Sequence, residues 1–243
     1  DSKLITIDND AFSNCNILES VSIPTHVRTI GNSAFNNCCN LQKVIFEENS
    51  QLTLIKRKAF SNTAIENIII PNHINTINNE TFSYCINLKK IDFTEQSELR
   101  SISTNAFENS GIETLVIPKS VAELSDGWCN NTKYLNNVII LSGNEHYKYL
   151  DENHQIIVSN KYSKNNKYNN LIFSSRNIKE INIPSFIQTI DSYSFDHCKQ
   201  ITNINFNDDS QLKIIRKKAF SHSSIQYIKI PDNVERICCG SFS

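Results

Sequence analysis

The stretch "LESVSIPTHVRTIGNSAFNNC", Leu18 to Cys38, is followed by "LQKVIFEENSQLTLIKRKAFSNT", Leu41 to Thr63, and the two share one plan. Each opens with L-x-x-[VI]-x-[IF], whose alternation of apolar and polar residues predicts a short strand. A turn follows, and the apolar residues after it lie three, four and five positions apart up to a phenylalanine. That spacing predicts a short helical or 3₁₀ segment on the far side of each unit.

The same plan recurs along most of the chain. The five prolines all stand in an I-P dipeptide, at Pro24, Pro71, Pro118, Pro184 and Pro231. Phenylalanines mark a finer period of about 23 residues, at Phe12, Phe35, Phe60, Phe82, Phe107, Phe195, Phe220 and Phe242. A unit this small cannot bury its own apolar side, whereas stacked copies can. The sequence therefore predicts a solenoid of about nine to ten coils whose strands form a parallel sheet.

The repeated pattern L-x-x-I-x-I-P-x-x-V-x-x-I-G-x-x-A-F-x-x-C resembles the BspA-like (Treponema pallidum type) class of leucine-rich repeats. Leu18 to Cys38 matches it almost position by position, and the resemblance covers nearly the whole chain. It implies an α/β leucine-rich-repeat horseshoe, with a curved parallel sheet on the concave side and helical or 3₁₀ segments on the convex side. It also implies a surface or secreted protein that adheres to host proteins and cells.

Irregular sequence interrupts the repeats between Ser142 and Ser175. The alternating "YKYLDENHQIIVS" followed by "NNLIF" indicates two strands, with a turn at Asp151–Asn153 and a polar loop from Ser163 to Asn170. The stretch resembles the N-x-x-Y-x-x-x-D insert of many BspA-like arrays. Two interpretations stay open: a degenerate repeat, or a projecting hairpin that contacts a partner.

The repeats predict one domain over residues 1–243. Regular repeats at 1–141 and 176–243 flank the hairpin insert at 142–175, and at Trp128-Cys129 a cysteine takes the place of the recurring phenylalanine. Because the chain begins at Asp1 in mid-pattern, we expect it to be a segment of a longer repeat protein.

The charge balance gives no reason to expect nucleic-acid binding. The chain has 24 basic and 25 acidic residues and a net charge of −1, so it has no overall attraction for phosphates or anionic lipids. The basic triplets Lys56–Lys58 and Arg216–Lys218 each follow an acidic loop and are interpreted as solvated surface. No apolar run approaches the ~20 residues that a spanning helix needs, so no membrane insertion is predicted for this segment.

The cysteines are interpreted as core residues. Cys15, Cys38, Cys85 and Cys198 stand three residues after the recurring phenylalanine, where sister units carry Thr or Ser. A free cysteine behaves as a small hydrophobe. Cys15 and Cys38 lie on adjacent coils, close enough for a bridge, although a pair of thiols is favoured. The vicinal cysteine pairs lack the C-x-x-C spacing of zinc and redox motifs.

Neither catalysis nor a cofactor is predicted. The chain has only five glycines, and it contains no nucleophile elbow and no Gly-rich phosphate loop. His26 and His73 occupy one loop position in units 47 residues apart, too far apart to share a metal. No catalytic, cofactor-binding or metal-binding residue is therefore predicted, and an enzyme is not expected. Asn79 and Asn130 begin N-x-T sequons, which matter only for a secreted protein.

Strand alternation names the candidate binding surface. The residues that flank the central inward residue of each strand are predicted to face outward: Lys43, Ile45, Asn67, Ile69, Lys90, Asp92, Thr114, Val116, Asn137, Ile139, Glu180, Asn182, Asn203, Asn205, Tyr227 and Lys229. One column is apolar at Ile45, Ile69, Val116 and Ile139. It is either a partner site or a consequence of the preference of sheets for β-branched residues.

The predicted function is therefore a non-enzymatic protein-binding module. By resemblance, it is a surface or secreted adhesion protein that recognises a host or matrix protein, or a glycan, through the concave sheet. The alternative is an intracellular repeat scaffold for protein–protein interaction, in the cytoplasm.

Overall fold

The computed structural model describes residues 2–163, 165 and 167–243. Asp1 lies outside the described residues, as do Lys164 and Asn166 of the predicted loop. Most coils begin with a strand of four residues, shortened to two in β20, and we call these the long strands: β2 (Ser20–Ile23), β4 (Lys43–Phe46), β6 (Asn67–Ile70), β8 (Lys90–Phe93), β10 (Thr114–Ile117), β12 (Asn137–Ile140), β16 (Glu180–Ile183), β18 (Asn203–Phe206) and β20 (Tyr227–Ile228).

A second, two-residue strand lies further along each coil. These short strands are β1 (Thr6–Ile7), β3 (Thr29–Ile30), β5 (Leu54–Ile55), β7 (Thr76–Ile77), β9 (Ser101–Ile102), β11 (Glu123–Leu124), β17 (Thr189–Ile190), β19 (Ile214–Ile215) and β21 (Arg236–Ile237). The irregular stretch supplies β13 (Tyr147–Tyr149), β14 (Ile156–Ser159) and β15 (Asn170–Ser174).

The chain divides into two compact units. The first comprises the residues up to Thr132 together with Leu141–Asn144, and the second comprises Lys133–Ile140 and Glu145–Ser243. Within the first unit the strand ladders include β2–β4, β6–β8–β10, β1–β3–β5 and β7–β9–β11. Within the second they include β16–β18–β20 and β15–β17–β19–β21. Strands of successive coils pair in parallel, and the predicted solenoid of about ten coils is confirmed.

The register places equivalent repeat positions side by side. Val21 of β2 pairs with Val44 of β4, 23 residues later in the chain. Successive side chains of a strand point to opposite faces. Val44 is accordingly buried, while Lys43 and Ile45 on either side of it are exposed. A period near 23 residues therefore keeps every inward residue stacked on its equivalent.

Turns replace the predicted helical or 3₁₀ segments. Among the residues that the structure describes, none lies in a helix, and so none forms a helix able to cross a membrane. In the coil of Phe35, Ala34 donates its N–H to Gly31 of the same coil, whereas Phe35 donates to Ala59 of the next coil. An α-helix needs each N–H for its own carbonyls, so a segment that gives alternate N–H groups to a neighbouring coil cannot be helical.

Left-handed residues mark the end of each turn. Ser33 and Asn37, four residues apart, have φ angles of 54° and 60°. The same pair of positions has positive φ in most other coils, and the second of them is usually asparagine, one of the residues that tolerates this conformation best. Each left-handed residue ends its turn before a second helical turn can form.

Stacked phenylalanines form the centre of the core in both units. In the first unit the rings of Phe12, Phe35, Phe60, Phe82 and Phe107 follow one another, with neighbouring centroids 5.0–6.1 Å apart. In the second unit Phe195, Phe220 and Phe242 stack at 4.9 and 5.0 Å. The rings inside each series are buried. The coil spacing thus sets the ring spacing, and we call each series a phenylalanine ladder.

The first ladder ends where large and small residues exchange places. Ala106 precedes Phe107, whereas Trp128 precedes Cys129, and all four side chains are buried. Phe107 still donates its N–H to the carbonyl of Trp128, at 3.4 Å. The coil therefore keeps its register while the bulky ring moves one position along the chain.

Of the four cysteines that follow ladder rings, Cys38, Cys85 and Cys198 are buried as predicted, whereas Cys15 is half-buried. Cys85 Sγ donates to the carbonyl of Phe60 at 3.0 Å, and Thr63 Oγ1 donates to the same carbonyl at 2.9 Å. Burial raises the pKa of Cys85 to about 11 and also raises the pKa of Cys198. All eight cysteines lie within the described residues and none forms a disulfide, including Cys15 and Cys38.

The irregular stretch forms three strands. β13 and β14 make an antiparallel hairpin, and β15 runs antiparallel to β14. On its other side β15 pairs in parallel with β17, so that Leu171 lies beside Ile190. Both β14 and β15 are buried along their whole length. The third strand thus joins the ladder of short strands in the second unit.

Candidate functional site

The residues that point outward from the long strands are exposed or half-buried in both units. In the first unit they are Lys43, Ile45, Asn67, Ile69, Lys90, Asp92, Thr114 and Val116. In the second they are Asn137, Ile139, Glu180, Asn182, Asn203, Asn205, Tyr227 and Lys229. We call this set the strand face. It has the predicted accessibility, and its role in binding a partner stays a prediction.

A hollow of about 710 Å³ lies on the strand face of the first unit, over β4 and β6. Ile45 and Ile69 line it, and they are 42% and 61% exposed. Val44 and Ile68, their neighbours in the same strands, are buried. Pockets that hold ligands or anchoring side chains commonly measure about 300–1,000 Å³. We call this feature the β4–β6 hollow.

The β4–β6 hollow lies at a seam between two strand ladders, because β4 and β6 belong to different hydrogen-bonded sheets. At the short strands of the same two coils, the side-chain amide of Asn78 donates a hydrogen bond to the carbonyl of Ile55 at 2.7 Å. One coil earlier the equivalent bond is made by the backbone N–H of Lys56. The rings of Phe60 and Phe82 still stack at 5.8 Å. The core is thus continuous across the seam.

Polar groups surround the apolar floor of the β4–β6 hollow. Asp92 Oδ1 lies 2.6 Å from Lys90 Nζ, and His73 Nδ1 lies 3.2 Å from Glu98 Oε1. Glu47 accepts the N–H of Thr25 at 3.2 Å. An apolar centre inside a polar rim is the usual anatomy of a protein-binding surface.

Two further hollows lie on the strand face of the second unit. One, of about 660 Å³, is lined by Asp151 of the hairpin and by Glu180 and Asn182 of β16. The other, of about 260 Å³, is lined by Asn205 and Tyr227. Amide and carboxylate side chains dominate among these strand-face residues, so this part of the face offers hydrogen bonds rather than an apolar floor.

Polar side chains close the hairpin turn and attach the hairpin to β12. The carboxylate of Asp151 accepts the N–H groups of Gln155 and Ile156 at 2.8–3.1 Å. The hydroxyl of Tyr149 donates to one carbonyl of β12 and accepts one of its N–H groups, both at 2.9 Å. The Asp of the N-x-x-Y-x-x-x-D pattern therefore closes the turn at the tip of the hairpin.

The basic triplet at Lys56–Lys58 makes ion pairs between coils. Arg57 donates to Glu80 Oε1 at 2.6 Å, and Lys58 Nζ lies 3.0 Å from Glu80 Oε2. Burial alone would raise the pKa of Glu80, but the hydrogen bonds from Arg57 and Lys58 outweigh it and hold that pKa below its ordinary value of 4.5. Arg57 and Lys58 thus have a structural partner one coil away.

Glu80→Gln is expected to destabilise the protein by at most about 1 kcal/mol at neutral pH, because ion pairs at the protein surface contribute little. A carboxylate with a lowered folded-state pKa stabilises the fold above its unfolded-state pKa, and this contribution disappears as the pH falls through the folded-state value. Urea titrations should therefore show a difference at neutral pH that vanishes in acid. Glu113→Gln, at an exposed position, is the control, and a difference that grows on acidification would contradict the assignment.

The two sequons differ in accessibility. Asn79 is exposed, whereas Asn130 is half-buried and its amide donates to Glu108 Oε1 at 3.2 Å. The threonines of both sequons are buried. Of these two asparagines, only Asn79 is exposed to solvent in the folded chain.

The structure brings together three residues that sequence reasoning missed, namely Asp196, His197 and His222. One ligand-type atom from each lies within 4.8 Å of the others. His197 and His222 occupy the second left-handed position of successive coils, the column in which Asn37 and Asn62 stand in the first unit. Two histidines in one repeat column, 25 residues apart, are a signal that a column-by-column alignment would have found.

A family model for the BspA type leucine-rich repeat region matches the chain in six copies, over residues 5–136 and 166–243. These ranges contain all long strands except β12, and they leave out β13 and β14. No curated protein sequence matches the chain at a significant level.

Solved bacterial structures share the fold. The pneumococcal vaccine antigen PcpA is 26% identical, with a TM-score of 0.83 over 95% of this chain and 57% of that one. A leucine-rich cell surface protein from Faecalibacterium prausnitzii is 21% identical, with a TM-score of 0.71 over 96% of this chain and 72% of that one. A leucine-rich repeat protein from Bacteroides ovatus is 22% identical, with a TM-score of 0.51 over 96% and 49%.

The chain therefore spans 57% of the length of the pneumococcal antigen. The family model covers well over half of the chain, and its repeats coincide with the stacked coils. The chain belongs to the BspA type leucine-rich repeat family.

Proposed function

We propose that this chain is a non-enzymatic protein-binding module that recognises its partner through the strand face. The observation that carries the proposal is the β4–β6 hollow, where Ile45 and Ile69 are exposed between buried neighbours. The family is one of repeat scaffolds without enzymatic activity, which supports an interaction role.

The arrangement of the strand face favours a macromolecular partner. Hollows recur on it in both units, each lined by predicted outward residues. A few anchoring side chains that enter such pockets supply most of the binding energy of a protein interface. The basic triplet beside Glu80 is engaged in ion pairs between coils, so it does not favour a nucleic acid.

We further propose that the module acts at the cell surface or after secretion, as an adhesion protein for a host or matrix component. The structural likeness to a pneumococcal vaccine antigen supports this location. An intracellular scaffold is the second candidate. It is favoured by the eight cysteine thiols, because disulfides are typical of oxidising compartments.

The test compares charge placed on the strand face with charge placed elsewhere. Ile45→Asp plus Ile69→Asp removes the apolar floor of the β4–β6 hollow. Ile17→Asp plus Ile86→Asp is the matched control, since those side chains are 92% and 73% exposed in turns of the same unit. Purified extracellular-matrix proteins are immobilised as a panel, and the affinity of each variant is measured.

We expect the strand-face variant to bind the captured matrix protein more than tenfold more weakly, because anchoring residues contribute about 2 kcal/mol or more each. The control variant should keep the parent affinity, and both should keep the parent circular dichroism spectrum. Equal affinities for the two variants would contradict the strand-face assignment. Failure of the parent to bind any panel member would contradict the adhesion role.

A further inference from the structure

The cluster of Asp196, His197 and His222 has the geometry of a partly formed metal site. His222 Nδ1 lies 3.2 Å from Asp196 Oδ1. Two such atoms, each bonded to a zinc ion at its normal length, would subtend roughly 100° at the metal, close to the tetrahedral angle. The rings of His197 and His222 are stacked, with centroids 4.5 Å apart and an interplanar angle of 5°, so one ring must turn before a nitrogen of each can face the same ion.

The contact between His222 and Asp196 requires a cation or a proton between the two atoms. A carboxylate oxygen can only accept a hydrogen bond, and a neutral imidazole nitrogen without a proton can also only accept. The pair is therefore satisfied either by a proton on Nδ1 or by a metal ion that both atoms coordinate. Ser221 Oγ, 2.8 Å from the same nitrogen, can adjust because its hydroxyl rotates.

The buried members of the cluster suit a metal ligand. Asp196 is 1% exposed and His197 is 7% exposed. A metal ion binds an imidazole through an unprotonated ring nitrogen, and one ligand-type atom of the buried His197 lies within 4.8 Å of those of Asp196 and His222.

Two nearby cations, Arg176 and Lys133, act on His197 and oppose the binding of a metal ion because they carry charge of the same sign. Arg176 directs its guanidinium to backbone carbonyls, including that of Ser194 at 3.1 Å. The side chain of His222 is 54% exposed, so it has room to rotate and close the remaining gap between the three ligand atoms.

We propose that Asp196, His197 and His222 form a binding site for a zinc-class divalent transition metal. Two imidazoles and one carboxylate are the borderline donors that such ions prefer over Mg²⁺ or Ca²⁺. Three protein ligands leave a fourth position on the exposed side of His222 for water or for a donor from a partner. The site joins two successive coils of the second unit.

The test uses Zn²⁺ alone, and Co²⁺ as a spectroscopic probe, on chain first treated with a chelator. His222→Asn and Asp196→Asn remove one ligand each, and both residues have precedents at the same repeat positions, in Asn62 and Asn36. His73→Asn is the matched control, because His73 and Glu98 also place a ring nitrogen 3.2 Å from a carboxylate, and no third ligand joins them among the residues that the structure describes. All versions carry Cys39→Ser and Cys239→Ser, since these thiols are exposed.

We expect the parent and the His73→Asn variant to retain one zinc ion per chain after dialysis, with a cobalt absorption spectrum typical of tetrahedral coordination. His222→Asn and Asp196→Asn should each weaken binding by more than roughly tenfold, since even residues that only support a ligand contribute 10–100-fold. Their melting temperatures without metal should stay close to that of the parent. The proposal is overturned if the parent retains no zinc, or if His73→Asn loses as much zinc as the two ligand variants.

Discussion

Phe82→Ala is expected to lower the free energy of unfolding by about 3–5 kcal/mol, as for other buried aromatic residues. Phe82 is fully buried and stacks on Phe60 at 5.8 Å and on Phe107 at 6.1 Å. Its removal leaves a cavity that neither neighbouring ring can fill, because backbone hydrogen bonds between coils fix the position of each ring. A denaturant titration followed by circular dichroism measures the loss.

Phe12→Ala is the matched control for the same phenylalanine ladder. Phe12 is 37% exposed and stacks on Phe35 alone. Its replacement should cost less than half as much as that of Phe82, because less apolar surface is buried there. A loss below about 1 kcal/mol for Phe82→Ala would contradict the role of the ladder as the core.

Asp151→Ala is expected to destabilise the second unit by about 2 kcal/mol. The carboxylate of Asp151 accepts two backbone N–H groups at the tip of the hairpin. Hydrogen bonds to a charged group contribute about 1.5–3 kcal/mol, and their loss leaves both donors to find other partners. The hairpin should also exchange its amide hydrogens faster, since local opening no longer breaks these bonds.

Glu152→Ala is the control for this substitution, because Glu152 is the adjacent residue and is exposed. It should change stability by less than about 0.5 kcal/mol. Hydrogen exchange that is equally slow in the parent and in Asp151→Ala would contradict the capping role of Asp151.

The solenoid could be predicted from the sequence because the repeated units of the chain can be aligned with one another. The spacing of Phe35, Phe60 and Phe82 gives the length of a coil, and the alternation in "LQKVIF" identifies which residues of β4 point inward. The coil length and the direction of each strand residue both follow from rules that hold within a single coil. Stacking then repeats these two features in every coil.

The turns could not be predicted in the same way. Apolar spacings of three and four residues fit a helix and a series of turns equally well. Hydrogen bonds between coils, such as that from the N–H of Phe35 to the carbonyl of Ala59, favour turns over a helix. Asparagine at a left-handed position, such as Asn37, is the local sequence signal for a turn. Serine, lysine and tyrosine also occupy these positions, so the signal is weak.

The candidate site could likewise be predicted from the sequence only in part. Strand alternation identifies Ile45 and Ile69 as outward residues, and the structure places them there. The β4–β6 hollow lies instead at the seam between two ladders, and no local pattern predicts that seam. The cluster of Asp196 with His222 likewise arises from residues one coil apart, whose side-chain rotamers bring them within 3.2 Å.

A photo-crosslink from the strand face tests most directly whether this face contacts the partner. A photoreactive amino acid is placed at Ile69 in one version of the chain and at Ile86 in another, and each is irradiated with the matrix protein that the parent binds. We expect a covalent adduct from Ile69 and none from Ile86. An adduct from Ile86 and none from Ile69 would contradict this expectation.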